Sequence, residues 1–371
     1  MSARKFNKYA ISHFAVSAKI IIFTGCIDET AVMNLDNFLN ILKIDSSSGK
    51  ERRLAEYCAY GFATCKSVSE IYEVGDGTLN VYLKWGNPRI VFCTHLDTVP
   101  PYIPPKVESL PDGDVKISGR GSCDAKGQIF SMYNACLELE NEGYTDFGLL
   151  LVSGEETGSK GARTVDSQIP GGEYLVVGEP TDSKMVTAGK GTKAFSVSIK
   201  GRSAHSGYPE HGDSAVMRFV DFMNRLAEVR FPEDPVLGKT TYNVGELESP
   251  NSQNILSDRL TFRIYFRTTF ASDEAVCRVM ADFADDNIEV KAFGGDTPSQ
   301  YMTLDGFETK TVAFGNDAPH INNFSHKMLC GPGSILVAHT DDEHILLSDL
   351  RRAKDNYVTI YKRLVGRKAG K

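Results

Sequence analysis

From Met33 onward the spacing of apolar residues changes twice along the chain. Leu35, Phe38, Leu39 and Leu42 fall three and four apart, which predicts a helix. The turn SSSGKE separates it from a second helix through Leu54 and Tyr57. TLNVYLKW and RIVFCT are rich in β-branched and aromatic residues and predict strands. A helix is expected over 125–142, where Ile129, Met132, Tyr133, Cys136 and Leu137 share a face. FGLLLVS (147–153) and EYLVVG (173–178) are short continuous apolar runs, the pattern of strands buried on both faces. Alternating elements of this kind predict an α/β layered fold.

The second change comes near residue 187. KAFSVSIK (193–200) alternates strictly, with Phe195, Val197 and Ile199 on one side. An amphipathic helix over 212–229 follows, then the strands TTYNVGEL and DRLTFRIYFRT, a helical stretch over 272–285, and the strand NIEVKAF. The order β-α-β-β-α-β predicts a ferredoxin-like α+β unit over 187–295, inserted into the larger domain. The larger domain then comprises 33–186 and 296–371, closing with a helix through Leu350, Ala353, Tyr357, Ile360 and Leu364. Residues 1–32 are expected to be an extension outside the core.

Composition narrows the function classes. The 371 residues are 41% hydrophobic and 24% charged, ordinary for a globular protein. The net charge is −7 and no basic block is present, which argues against nucleic acid as the main partner. No apolar run is long enough for a membrane span. The eight cysteines form no CxxC pair, so neither a zinc finger nor a thioredoxin-like motif is indicated, and a reducing cytoplasm is expected.

Candidate chemistry gathers where the expected buried strands end. The first ends in HLD, with His95 and Asp97 on one side of the strand by period two. GRGSCDAKG places Asp124 just before a helix, FGLLLVS runs into Glu155 and Glu156, and EYLVVG runs into Glu179. GPGSILVAHTDDEH offers His339. In a parallel sheet the carboxyl ends of strands are where ligands bind. One carboxylate there is unremarkable; several would repel one another unless cations hold them. Histidine with several Asp and Glu, and no paired cysteine, is a ligand set for zinc, manganese or cobalt in hydrolysis. Adjacent Glu155 and Glu156 point different ways, so one ligand and one general base is a natural division, although a solvated acidic turn explains such a pair by itself.

HLDTVP, GRGSCDAKGQ, SGEETGSKGA, VGEPT, GRSAHSGYP and GPGSILVAHTDDE together resemble the motifs of the acetylornithine deacetylase, succinyl-diaminopimelate desuccinylase and carboxypeptidase family. The resemblance spans roughly residues 33–366. It implies a zinc-peptidase-like catalytic domain with a central mixed sheet and two zinc ions per subunit, for which cobalt or manganese can substitute. His95, Asp124 and Glu179 would hold one ion; Asp124, Glu156 and His339 the other. Asp97 would orient His95, and Glu155 would be the general base. A cis peptide is expected at Asp124-Ala125. The insert would be a dimerisation and lid domain, with His205 reaching the partner subunit's site in a homodimer. Asn254 and Arg267 would bind substrate, Arg267 through a carboxylate, and Gly333 would let backbone approach the ligand.

His211, His320, His326 and His344 are expected to be surface or structural, and Asp341, Asp342 and Glu343 a charged turn. Cys123 lacks a pairing signal for a thiol nucleophile, and AGKGT lacks the full phosphate-loop pattern. GRGSCDAKG and the compact C-terminus most resemble the acetylornithine deacetylase branch, which implies deacylation of a small N-acyl amino acid, Nα-acetyl-ornithine first. Succinyl-diaminopimelate, with Arg202 or Lys193 as an extra cationic contact, is an alternative. A dipeptidase or carboxypeptidase, or a non-catalytic binding protein of the same fold, completes the set.

Overall fold

A computed structural model describes residues 19–22 and 33–366. A seven-stranded mixed sheet forms the centre, in the order Lys19–Ile22, Val68–Gly75, Thr78–Trp85, Phe147–Val152, Ile90–His95, Gly172–Val177, Phe324–Leu329. The first three pairings are antiparallel. The last three are parallel. The strand Lys19–Ile22 falls in the segment expected to lie outside the core, where it edges the sheet; the rest of 1–32 lies outside the described residues.

The two central parallel strands, Phe147–Val152 and Ile90–His95, are buried on both faces, as their continuous apolar runs require. Ile90 and Phe92 pack into one apolar cluster, with Ile129 and Tyr357 from the helices Lys126–Asn141 and Leu347–Leu364. Val91 and Cys93 point to the opposite face, against Val177 and Ile321. Burying a side chain such as Phe92 contributes about 1.5–3 kcal/mol. Two of the parallel strands, Ile90–His95 and Phe147–Val152, are fully buried to their last residue. The polar groups that follow them are therefore delivered to one edge of the sheet.

A second sheet has four antiparallel strands in the order Thr241–Glu248, Arg259–Thr268, Gly191–Lys200, Ile288–Gly294. The helices Ala215–Glu228 and Asp273–Asp282 cover one face. Phe195, Val197 and Ile199 face those helices, matching the strict alternation of their strand. The chain enters and leaves this unit at one place, where Thr192 N donates to Asp296 O at 2.8 Å and Asp296 N donates to Thr192 Oγ1 at 3.0 Å.

Several strands carry no clear period in the sequence. Phe324–Leu329 is interrupted by Ser325, His326 and Lys327 because it is an outer strand of the large sheet, with Ser325 and His326 exposed. Lys106–Ser109 is exposed throughout.

Candidate active site

The carboxyl ends of the parallel strands hold the acidic groups. His95 closes its strand, fully buried, with Nε2 3.0 Å from Asp124 Oδ1. Its Nδ1 lies 2.9 Å from the Asp97 carbonyl oxygen and 3.4 Å from the Asp97 carboxylate. Asp97 is held in turn by Ser48 Oγ at 2.9 Å and by the backbone N–H groups of Glu155 at 3.0 Å and Glu156 at 3.1 Å. Asp124 precedes the helix Lys126–Asn141, and the Asp124-Ala125 peptide is cis. Across the cluster, His339 Nε2 lies 2.9 Å from Glu156 Oε1 and 3.3 Å from Asp124 Oδ2. His339 itself has φ +64°.

The electrostatics follow from this crowding. Burial works to raise the Asp124 carboxyl, but hydrogen bonds from His339 and His95 outweigh it and hold the group well below the usual carboxylate range. The same carboxylates, Asp124 and Glu156, raise His339 to about 10. Burial lowers His95, yet Asp124 and Asp97 reverse this and raise it well above its ordinary value. Burial pushes Glu155 and Glu179 well up, and neighbouring carboxylates add to it.

Those residues fit a metal. Ligand atoms of His95, Asp124 and Glu156 lie within 4.8 Å of one another. Glu179 is buried and its Oε1 has no hydrogen-bond partner. A buried carboxylate oxygen without a donor is costly unless a cation faces it.

A cleft of about 240 Å³ opens over the cluster. Asp124, Glu155, Glu156, Glu179 and His339 line it, and Thr192, Tyr265 and Arg267 reach it from the four-stranded unit. Arg267 lies over the Tyr265 ring at 4.9 Å and makes no ion pair among the described residues. His205 and Asn254 lie apart from this cleft. They are exposed, on facing segments joined by Ser206 N donating to Asn254 O at 2.9 Å. Gly333 has φ +76°, and a Cβ there would sit 2.5 Å from Cys123 Sγ. The close approach it permits in this structure is thus to a packed thiol.

One residue departs from the sequence reading, and two others lie at the site that the sequence reading did not place there. Glu343 belongs to no solvated turn. Asp341 and Asp342 are exposed, but Glu343 is buried and accepts from Cys123 N at 3.1 Å and Asp124 N at 3.0 Å. His320 lines the cleft, 3.4 Å from Asp296. Asp317 is buried beside the cluster, and burial raises its carboxyl to about 6. Glu343 sits in a loop, and Asp317 and His320 begin and end a single short 3₁₀ turn; both stretches are too short for a periodicity that would distinguish an inward residue from an outward one.

The fold brings to one sheet edge a cluster able to hold a metal ion, and comparison with known proteins places the chain. Residues 91–363 match the model of peptidase family M20/M25/M40. The chain is 32% identical over 333 residues to a peptidase M20 domain-containing protein of Schizosaccharomyces pombe, covering 86% of this chain and 81% of that protein. It is 31% identical over 364 residues to a probable carboxypeptidase of Aspergillus clavatus, covering 88% of each. Among solved structures, a tripeptidase from Staphylococcus aureus superposes with a TM-score of 0.74 at 18% identity, over 89% of this chain and 98% of that one. A metallo-carboxypeptidase from Sulfolobus solfataricus gives 0.67 at 15% identity, over 89% and 99%. The chain belongs to peptidase family M20/M25/M40 and is a metallopeptidase of that family. Among the described residues no helix is long and apolar enough to cross a membrane.

Proposed function

We propose that this protein is a zinc-dependent carboxypeptidase of short peptides, releasing the C-terminal residue. One observation carries the reading: a single cleft joins the cation-holding cluster to Arg267, a planar cation without an acidic partner among the described residues. The relatives named carboxypeptidase support this choice over deacylation of Nα-acetyl-ornithine, which the sequence wording favoured. Succinyl-diaminopimelate loses its expected second contact, since Lys193 pairs with Asp273 at 2.8 Å and neither Lys193 nor Arg202 lines the cleft.

His95, Asp124 and Glu179 would hold one ion and Asp124, Glu156 and His339 the second, with Asp124 shared. Bound there, zinc supplies Lewis acidity and makes water a better nucleophile. Arg267 receives the substrate carboxylate and fixes the scissile amide over the cluster. Glu155, its carboxyl raised by burial, accepts a proton from the attacking water at its carboxylate oxygen and returns it to the leaving amine. Asp97 keeps the His95 ring oriented and braces the Glu155 backbone. His205, exposed and apart from this chain's own cleft, would in a homodimer complete the partner's cleft and stabilise the oxyanion.

Amine release by the purified protein from dipeptides, N-acyl peptides and Nα-acetyl-ornithine, with zinc and with a chelator, tests this. Chelator-sensitive release of the C-terminal residue is expected. Cleavage of Nα-acetyl-ornithine alone would restore the deacetylase reading, and no release from any of them would overturn both.

A further inference from the structure

We propose that the buried pair Arg120 and Glu343 is a positioning device that sets Asp124 and His339 together, and with them the affinity of the ion these two share. The proposal rests on the metal-holding reading above. Both side chains are almost wholly buried, 2% and 1% exposed, with Arg120 Nη1 2.7 Å from Glu343 Oε2. Burying an ion pair is a poor way to stabilise a fold compared with packing apolar groups, so its hydrogen bonds point to another use.

Those bonds run to the two ligand loops. Glu343 Oε1 accepts from the backbone of Cys123 and of Asp124. The second oxygen takes Arg120. Arg120 Nη1 also donates to the carbonyl of Thr340 at 3.0 Å, and Nε donates to Pro101 O at 3.2 Å. Gly119 N donates to Glu343 O at 2.9 Å, closing the loop on itself. One end of the device therefore grips the backbone of Asp124, and the other grips the residue after His339. His339 needs that grip, because its left-handed φ is one that non-glycine residues seldom keep without support. Neither Arg120 nor Glu343 lines the cleft, so they act through the ligands rather than on substrate.

The test uses the full-length protein carrying Glu343→Gln or Arg120→Lys, with Asp342→Asn, an exposed neighbour, as control. Folding is read by circular dichroism and Tm. Zinc stoichiometry and affinity are read by competition with a chromophoric chelator, and kcat and KM are measured at rising zinc. We expect folded variants in which zinc binds about 10–100-fold more weakly, the ion held by both Asp124 and His339 the more so. In them kcat should recover with added zinc and KM stay unchanged, while the control matches the parent. Unchanged zinc affinity in a folded variant of lower Tm would overturn the proposal, as would failure of both variants to fold, which would make the pair a fold element. Absence of zinc binding in the parent protein would instead overturn the metal reading.

Discussion

Asp97 holds Glu155 by its backbone: the carboxylate that faces His95 also accepts the Glu155 N–H at 3.0 Å. Ligand orientation and base placement thus meet at one buried residue, whose carbonyl lies 2.9 Å from His95 Nδ1 and whose carboxylate lies 3.4 Å from it. Asp97→Asn turns one of its acceptor oxygens into a donor group. We expect metal affinity and activity to fall about 10–100-fold, checked by zinc titration and by kcat/KM. Unaltered zinc affinity would show that His95 is oriented by other contacts.

Glu155→Gln leaves both proposed ligand sets in place. Turnover should fall by about 10²–10⁴ with zinc content unchanged, as loss of a general base requires. Metal analysis alongside kinetics decides this, since loss of zinc in that variant would make Glu155 a ligand.

Arg267→Ala should raise KM for substrates with a free C-terminal carboxylate, by roughly ten-fold or more if a charged hydrogen bond of about 1.5–3 kcal/mol is lost. The same peptide as its C-terminal amide should bind both proteins alike. An equal loss on the amide would remove the carboxylate role from Arg267.

His205 should act in trans. Verified mixed dimers of His205→Ala and Glu155→Ala subunits should recover part of the activity that each homodimer lacks, because one of the two clefts receives both intact groups. Mixed dimers without recovery would leave His205 outside the reaction.

Gly333→Ala should destabilise the fold without touching a ligand. Its Cβ would fall 2.5 Å from Cys123 Sγ in a left-handed backbone. Overpacking of this kind costs about 1–3 kcal/mol, read as a lower Tm or denaturation midpoint. A Tm equal to the parent would show that Cys123 can move aside freely.

Where burial imposes a period, the fold is plain from the chain itself. FGLLLVS and KAFSVSIK belong to different kinds of sheet because one is covered on both faces and the other on one. His95, Asp124, Glu156 and His339 could be singled out because strand ends and a known set of motifs mark them, and the structure brings them together. Glu343, Asp317 and His320 could not. Their inward orientation comes from long-range contacts between loops, and in the sequence Glu343 differs little from its exposed neighbour Asp342. The expected role of Gly333 was likewise indistinct, since a glycine does not announce which atom it must admit.

The meeting of Thr192 and Asp296 has one more consequence. A segment whose two ends lie a hydrogen bond apart is a cassette, which can be spliced out of a gene and its stumps rejoined with little strain on what remains. Such a cut would carry away Arg267 and His205 and leave His95, Asp124, Glu156 and His339 behind. The unit that carries Arg267 can therefore be exchanged for another while the cluster of His95, Asp124, Glu156 and His339 is inherited unchanged.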